Sequence, residues 1–307
     1  MCFMRVPCSR TYIILPSAFN VEGIMEHYIN GQNIALFKER LMELERSSLT
    51  ISKYVRDITT FRRWLGEKGP VDKNTVIRFK QMLREKYRLS SANSMLSALN
   101  KFFQLLGWDD CYVRTFKTQR ASFRNEEREL SMEEYKRLLQ AAKDKGDLQI
   151  HRIMETIAST GIRISELPFI TVAALNTRRA LVSLKGKTRQ VLIPARLCKK
   201  LRQYCKERKI TSGSIFVTRT GRPLDRSNIL HRMKALSSIA QVERSKIFPH
   251  NLRHFFAVNY YRTEKDIVRL ADLLGHTSIN TTRIYTLISC ESQLDILDKV
   301  EKSLEAV

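Results

Sequence analysis

The residues with the clearest chemistry are two arginines, two histidines, a lysine and a tyrosine: Arg163, Lys187, His250, Arg253, His276 and Tyr285. A phosphate in a five-coordinate transition state gathers negative charge on its non-bridging oxygens. Guanidinium groups stabilise that charge because they present paired donors and stay protonated. A tyrosine hydroxyl needs a base or a cation before it attacks, and the leaving oxygen needs a proton. These residue types are therefore suited to breaking a phosphodiester bond without a metal ion.

Short motifs surround these residues. Residues 160–167, which contain Arg163, read TGIRISEL, and residues 184–188, which contain Lys187, read LKGKT. Further along, residues 250–254 read HNLRH and residues 274–276 read LGH, and Tyr285 follows nine residues after His276. In a helix, residues three apart share a face, so His250 and Arg253 are expected to point towards one phosphate.

This pattern resembles that of the tyrosine recombinases, the family of phage integrases and Xer-type recombinases. In that family an Arg in a TGxRxSEL turn, a Lys in a β-hairpin, HxLRH, LGH and a terminal Tyr follow one another in this order. The resemblance covers about residues 26–300, and five dispersed elements agree in identity, order and separation. Chance agreement of all five is improbable, although each alone is a weak signal.

The resemblance implies a role for each residue. Arg163 and Arg253 would bind the phosphate, and Tyr285 would attack it to form a 3′-phosphotyrosyl link and free a 5′-hydroxyl. His276 would hydrogen-bond the phosphate and His250 would assist proton transfer. Lys187 would protonate the leaving oxygen. Because the hairpin turn is one residue shorter than the common family form, Lys185 stays an alternative to Lys187.

The resemblance also implies partners and excludes cofactors. The expected partners are double-stranded DNA target sites and a homo-tetramer, or related recombinase protomers, assembled on two sites. Neither a metal ion nor ATP is needed, because the phosphotyrosyl link retains the bond energy. Two alternatives use the same scaffold: a non-catalytic DNA-binding regulator and a type IB-like topoisomerase. The residues do not distinguish chromosome-dimer resolution from integration of mobile DNA, and they do not specify a target sequence or an accessory protein.

Composition supports a polyanionic partner. The formal net charge is +23, with 18 basic against 10 acidic residues in 25–122 and 34 against 20 in 123–307, so both halves are basic. No run approaches the roughly 20 apolar residues that a membrane span needs. The six cysteines show no C-x-x-C spacing, which favours reduced thiols in a cytoplasmic protein and disfavours a zinc site.

The hydrophobic pattern predicts helices and a β-hairpin, and the resemblance implies a mostly α fold with a small antiparallel β-sheet (α+β), divided into a DNA-clamp domain and a catalytic domain. A disordered extension, residues 1–24, precedes a helical DNA-clamp domain, residues 25–107, with Met25 at the start of its first helix and as a candidate start of the protein. Residues 108–128 form the linker, and residues 129–307 form the mixed α+β catalytic domain. Within the clamp, Thr50 and either Ser90 or Ser91 are candidate N-caps.

Two further local signals lie in the second domain. Ser131 and Glu134 have the spacing of a capping box. In the tail, an apolar stripe runs along residues 291–305 at Leu294, Leu297, Val300 and Leu304 and needs a surface to cover it. That surface is either its own catalytic domain or, as the resemblance implies for a C-terminal exchange helix, a neighbouring protomer.

Overall fold

A computed structural model describes residues 18–19, 25–66, 70–117, 128–184, 186–276, 278–286, 294 and 297–302. The chain divides into two compact units, Met1–Arg120 and Ala121–Val307. Each unit has its own buried core, so each is described by itself.

The first unit is built around amphipathic helices. Its helices are α1 (Gly31–Glu43), α2 (Ser48–Leu65), α3 (Lys73–Lys86) and α4 (Leu89–Leu106). A short antiparallel pair, β1 (Ala18–Phe19) and β2 (Met25–Glu26), precedes them. The inward faces meet in a core rich in aromatic rings, of which Phe37, Phe61, Phe79 and Phe102 are completely buried. Burial of these faces stabilises helices that are too short to be stable alone.

Three predicted starts in this unit are wrong. Met25 does not open a helix, because it pairs with Phe19 in a strand and α1 begins only at Gly31, after the N-cap Asn30. The hydroxyl that caps α2 belongs to Ser47, which accepts a hydrogen bond from the backbone of Thr50. Helix α4 starts at Leu89, ahead of both predicted serine caps, and Arg88 makes no side-chain cap.

The segment 108–117, predicted as the start of the linker, is held against the helical unit. Asn100 donates to the carbonyl of Val113 and accepts from its amide, and Asn93 makes the same pair of hydrogen bonds with Phe116. Cys111 and Val113 are buried in the core. Residues 118–127 lie outside the described part of the chain, as does the predicted disordered extension apart from β1.

The second unit places helices around one β-hairpin. Its elements are α5 (Met132–Asp144), α6 (Leu148–Thr160), α7 (Val172–Thr177), β3 (Arg179–Leu184), β4 (Lys187–Leu192), α8 (Ala195–Glu207), α9 (Arg226–Lys234), α10 (Ser237–Ala240), α11 (Pro249–Glu264) and α12 (Ile267–Leu274). Strands β3 and β4 are antiparallel, and Leu184 pairs with Lys187 at the turn. The capping box of Ser131 and Glu134 is confirmed.

The mostly helical architecture with a small antiparallel sheet is therefore confirmed. Tight 3₁₀ turns, Ile279–Thr281 and Arg283–Tyr285, follow α12, and Tyr285 is the last residue of the second turn. Among the residues described, no helix is both long and apolar enough to cross a bilayer.

Candidate active site

Arg163 lies in the tight turn that ends α6. Gly161 takes a left-handed conformation, φ +62°, which lets the chain leave the helix. The backbone N–H of Arg163 then donates to Glu166 Oε2 at 2.8 Å, and its guanidinium donates to Glu166 Oε1 at 3.1 Å. The side chain of Arg163 is still 40% exposed, so part of its guanidinium faces solvent. This arrangement leaves Arg163 able to meet a phosphate.

In contrast to Arg163, Arg253 is buried, with only 1% of the residue exposed to solvent. Its guanidinium donates to the carbonyl of Gly161 at 2.6 Å, to the carbonyl of Leu274 at 2.7 Å, and to His276 Nε2 at 3.0 Å. Those carbonyls lie at the C-terminal ends of α6 and α12, where helix dipoles favour a cation. Burial and the charge of Arg163 lower the pKa of Arg253 to about 10, so it stays charged at neutral pH.

His276 is held in one tautomer by two partners. An arginine only donates, so Nε2 of His276 accepts from Arg253 and its Nδ1 carries the proton. That proton is donated to Thr282 Oγ1 at 2.9 Å. Loss of solvation and the charges of Arg253, Arg163 and Arg189 lower the pKa of His276 to about 4. The ring is therefore neutral at pH 7.

His250 is the second residue of α11, after Pro249 at the first position. The residue keeps part of its surface exposed to solvent. Loss of solvation and the charges of Arg253 and Arg163 lower its pKa below the ordinary histidine value. A neutral imidazole near two arginines is able to accept a proton.

Tyr285 lies beside these residues and is buried. Its ring meets the edge of His254, with centroids 5.0 Å apart, and lies nearly parallel to His276 at 6.3 Å. Burial raises the pKa of Tyr285, while the charges of Arg253 and Arg163 and a hydrogen bond from Arg253 act in the opposite direction. The net effect is an upward shift, so the hydroxyl is protonated in the unliganded protein.

The choice between Lys187 and Lys185 stays a prediction. Leu184 pairs with Lys187 where β3 leads into β4, and Gly186 between them has φ +72°. Lys187 is the first residue of β4, but its side chain and all of Lys185 lie outside the described parts. The structure thus brings together five of the six predicted residues and leaves the choice of lysine as a prediction.

Sequence reasoning missed Arg189. It donates to both oxygens of Glu166, from Nε at 3.3 Å and from the guanidinium at 2.6 Å. Burial opposes ionisation of Glu166, but its bonds and charges with Arg189 and Arg163 outweigh burial and lower its pKa. The available signal was spacing, because residues two apart in a strand share a face, which places position 189 with position 187.

A group that could hold a cation lies in the other unit, at His27, Asp110 and Cys111, whose ligand atoms are within 4.8 Å of one another. Protein contacts already account for these atoms. His27 Nε2 lies 2.9 Å from Asp110, and the Cys111 thiol lies 3.5 Å from the carbonyl of Val71. Burial, with nearby carboxylates, raises the pKa of Cys111 to about 12, which opposes the thiolate that a metal needs. We assign no metal to this group.

Comparison with known proteins connects this geometry to a family. The model of the Phage integrase family matches residues 128–291, and that of the Phage integrase, N-terminal SAM-like domain matches residues 34–109. Tyrosine recombinase XerA of Thermococcus kodakarensis is 30% identical over 262 residues, covering 82% of this chain and 90% of that protein. Tyrosine recombinase XerD of Haemophilus ducreyi is 28% identical over 268 residues, covering 81% and 90%.

Solved structures agree on the fold. XerH recombinase bound to palindromic difH in a post-cleavage complex gives a TM-score of 0.67 at 20% identity, covering 86% of this chain and 85% of that one. A lambda integrase tetramer bound to a Holliday junction gives 0.68 at 18% identity, covering 83% and 76%. The matches define a tyrosine recombinase, an enzyme that cuts and rejoins DNA. The chain belongs to the phage integrase family.

The turn that carries Arg163 gives a test of the site's packing. A Cβ at position 161 would lie 2.4 Å from a ring carbon of Phe256 and 2.9 Å from a methyl of Leu274. We expect Gly161→Ala to lower the free energy of unfolding through both its left-handed backbone, about 1–2 kcal/mol, and overpacking, roughly 1–3 kcal/mol more. Urea unfolding followed by circular dichroism measures the loss.

Gly146→Ala is the matched control. Gly146 also has a positive φ, +70°, but a Cβ there would have no neighbour within 4 Å. Only the backbone cost is expected in the control. Equal losses for the two variants would contradict the close packing at position 161.

Proposed function

We propose that this chain is a site-specific recombinase that cuts a DNA strand by attack of Tyr285 on a backbone phosphate. The observation that carries the proposal is the convergence of Arg163, Arg253, His250 and His276 on Tyr285 within one unit. Charged donors and a hydroxyl nucleophile at one place are what phosphoryl transfer requires.

The proposed step needs no added reactant. The Tyr285 oxygen forms a bond to phosphorus as the bond to the 5′ oxygen breaks, which leaves a 3′-phosphotyrosyl link and a 5′-hydroxyl. Arg163 and Arg253 offset the charge that develops on the phosphate, and a ring N–H of His276 donates a hydrogen bond to it. His250 takes the phenol proton, and a hairpin lysine gives a proton to the leaving oxygen. A 5′-hydroxyl of a partner duplex then reverses the step.

We propose that the helical unit, residues 25–107, binds DNA as a clamp domain and that residues 129–307 form the catalytic domain. XerH and lambda integrase are among the neighbours whose structures contain DNA, the latter also as a tetramer on a Holliday junction. By analogy, this chain would act on two double-stranded target sites as a homo-tetramer or with related protomers. A cytoplasmic location fits the free thiols of Cys111, Cys198 and Cys205.

Tyr285→Phe tests the nucleophile. The ring's packing against His254 and His276 survives this change, so DNA binding is expected to stay near the parental level while covalent adduct is lost. Adduct is measured on a denaturing gel after incubation with a nicked duplex. The sequence of that duplex is taken from the DNA that the parent protein captures. Tyr261→Phe, the same change on a partly exposed tyrosine of α11, serves as the control and should form adduct normally. Adduct from Tyr285→Phe would refute the assignment.

The two lysines are separated by a chemical rescue. If Lys187 protonates the 5′ oxygen, Lys187→Ala is inactive on ordinary DNA but recovers on a duplex with a 5′-bridging phosphorothiolate, because a thiolate leaves without a proton. The measurement is single-turnover cleavage of both substrates by Lys187→Ala and Lys185→Ala. Rescue of Lys185→Ala alone would move the role to Lys185, and rescue of neither would remove the general acid from this hairpin.

The exposed apolar residues of the tail favour the proposal that protomers assemble with one another. Residues 297–302 are helical, and Leu294, Leu297 and Val300 are 54%, 53% and 50% exposed. The described part of the apolar stripe is therefore not buried on its own catalytic domain, and Leu304 lies outside the described residues. A stripe of this kind gains stability when a second surface covers it. We propose that a neighbouring protomer provides that surface.

Truncation after Ser289 tests docking. Binding of one protomer to a single site is expected to persist, since the DNA-contacting domains remain, whereas cooperative binding to paired sites and recombination should be lost. Gel shift on single and paired sites measures single-protomer binding and cooperative binding. Leu297→Asp in the full chain should reproduce the defect, while Lys299→Ala, on the polar side of the same turn, should not. Parental cooperativity in the truncated protein would contradict docking between protomers.

A further inference from the structure

Arg189 lies in β4, outside the six residues predicted to act on the phosphate. Its side chain is only 14% exposed. Two of its donors form a fork on the carboxylate of Glu166, and a third donates to the carbonyl of Leu273 at 2.5 Å. Arginine suits this position because its planar group binds both carboxylate oxygens at once.

The aliphatic part of the Arg189 side chain is also closely packed. A Cβ at Gly275 would lie 2.4 Å from Cδ of Arg189, so the arginine passes directly over the glycine backbone. Gly275 ends α12 in a left-handed conformation and precedes His276. Arg189 therefore ties the β-hairpin to the exact place where the chain turns to present His276.

Glu166 connects the same arginine to Arg163. The carboxylate accepts from the backbone and guanidinium of Arg163 as well as from Arg189. One buried negative charge is thus shared by two positive charges. Without Arg189, Glu166 would pair with Arg163 alone. The carboxylate would then offset the positive charge of Arg163, which would be less available to a phosphate.

We propose that Arg189 is a positioning residue of the candidate active site. It neutralises Glu166 and holds the β-hairpin against the turn before His276. It acts through Arg163 and His276 and does not touch the phosphate. The kinetic part of this inference rests on the proposed function, whereas its effect on His276 does not.

A purely structural ion pair would explain the contacts but not a change in His276. Several ionisable groups face that ring from the elements packed around it: Arg253 and His250 of α11, Arg163 of the arginine turn, Arg189 of β4, and Tyr285. The cations lower the pKa of His276. Removing the charge of Arg189 should therefore raise it, and His276 would become protonated, and unable to accept from Arg253, at a higher pH. The acid limb of cleavage activity would move upwards in pH.

The experiment compares Arg189→Gln, Arg189→Lys, the double variant Arg189→Gln/Glu166→Gln, and a control, Arg178→Gln. Arg178 precedes the same hairpin and donates to the carbonyl of Ile193, but it has no bond to Glu166. Two quantities are measured on each full-length protein. The first is the pKa of His276 by imidazole NMR, assigned with His276→Asn; the second is single-turnover cleavage of the captured duplex across pH, with DNA affinity measured separately.

For Arg189→Gln we expect the pKa of His276 to rise and cleavage at saturating DNA to fall about 10²-fold, the loss that a displacement of about 1 Å produces. DNA affinity should stay within about twofold. Arg189→Lys keeps the charge, so it should retain the parental pKa with intermediate cleavage. The double variant should recover part of the loss, because Glu166 is no longer charged, and the coupling of the two changes gives the interaction. Arg178→Gln should match the parent.

Three outcomes would overturn the inference. The first is parental cleavage and an unchanged His276 pKa in Arg189→Gln; the second is reduced cleavage with no change in that pKa, which would leave only a structural role. The third is an equal loss in Arg178→Gln. If Arg189→Gln does not fold, Arg189→Lys decides, since full parental cleavage there would show that the fork is unnecessary. Failure of the parent protein to form adduct would refute the proposed function instead, while the NMR measurement would still test the coupling.

Discussion

The geometry of the second unit depends on the hydrogen bonds of the buried Arg253 guanidinium. A charge removed from water is costly unless its donors are satisfied, and here carbonyls at the ends of α6 and α12 and a ring nitrogen satisfy them. Because those carbonyls belong to helices far apart in sequence, one side chain fixes the distance between the arginine turn and the turn before His276. A loss of Arg253 would leave these acceptors unpaired as well as removing a charge from the site.

Two glycines make this arrangement sterically feasible. Gly161 and Gly275 both take left-handed conformations at helix ends, and both lack room for a Cβ, one against Phe256 and the other against Arg189. The chain is thus packed closely at the two turns that carry Arg163 and His276. Partly exposed Arg163 and fully buried Arg253 differ in environment although both carry a guanidinium group.

Local signals accounted for what the sequence predicted well. The capping box of Ser131 and Glu134 was predicted because it depends only on residues three apart. Arg163 and Arg253 were predicted from their motifs, and the structure places the two side chains near each other. Met25 was misassigned because its strand depends on pairing with Phe19, which no helical periodicity reveals. Arg189 was missed for a related reason: its partner, Glu166, is 23 residues away and becomes a neighbour only when the hairpin folds back.

Under the proposed function, the burial of Tyr285 would limit accidental cutting of DNA. A reactive hydroxyl at the surface of so basic a protein would meet DNA phosphates at random during every non-specific encounter. The Tyr285 ring instead packs against His254 and His276 and keeps its proton, so the proposed nucleophile is not freely available to a passing phosphate. On this proposal, selectivity in strand cutting depends on the packing around one phenol before any base is read.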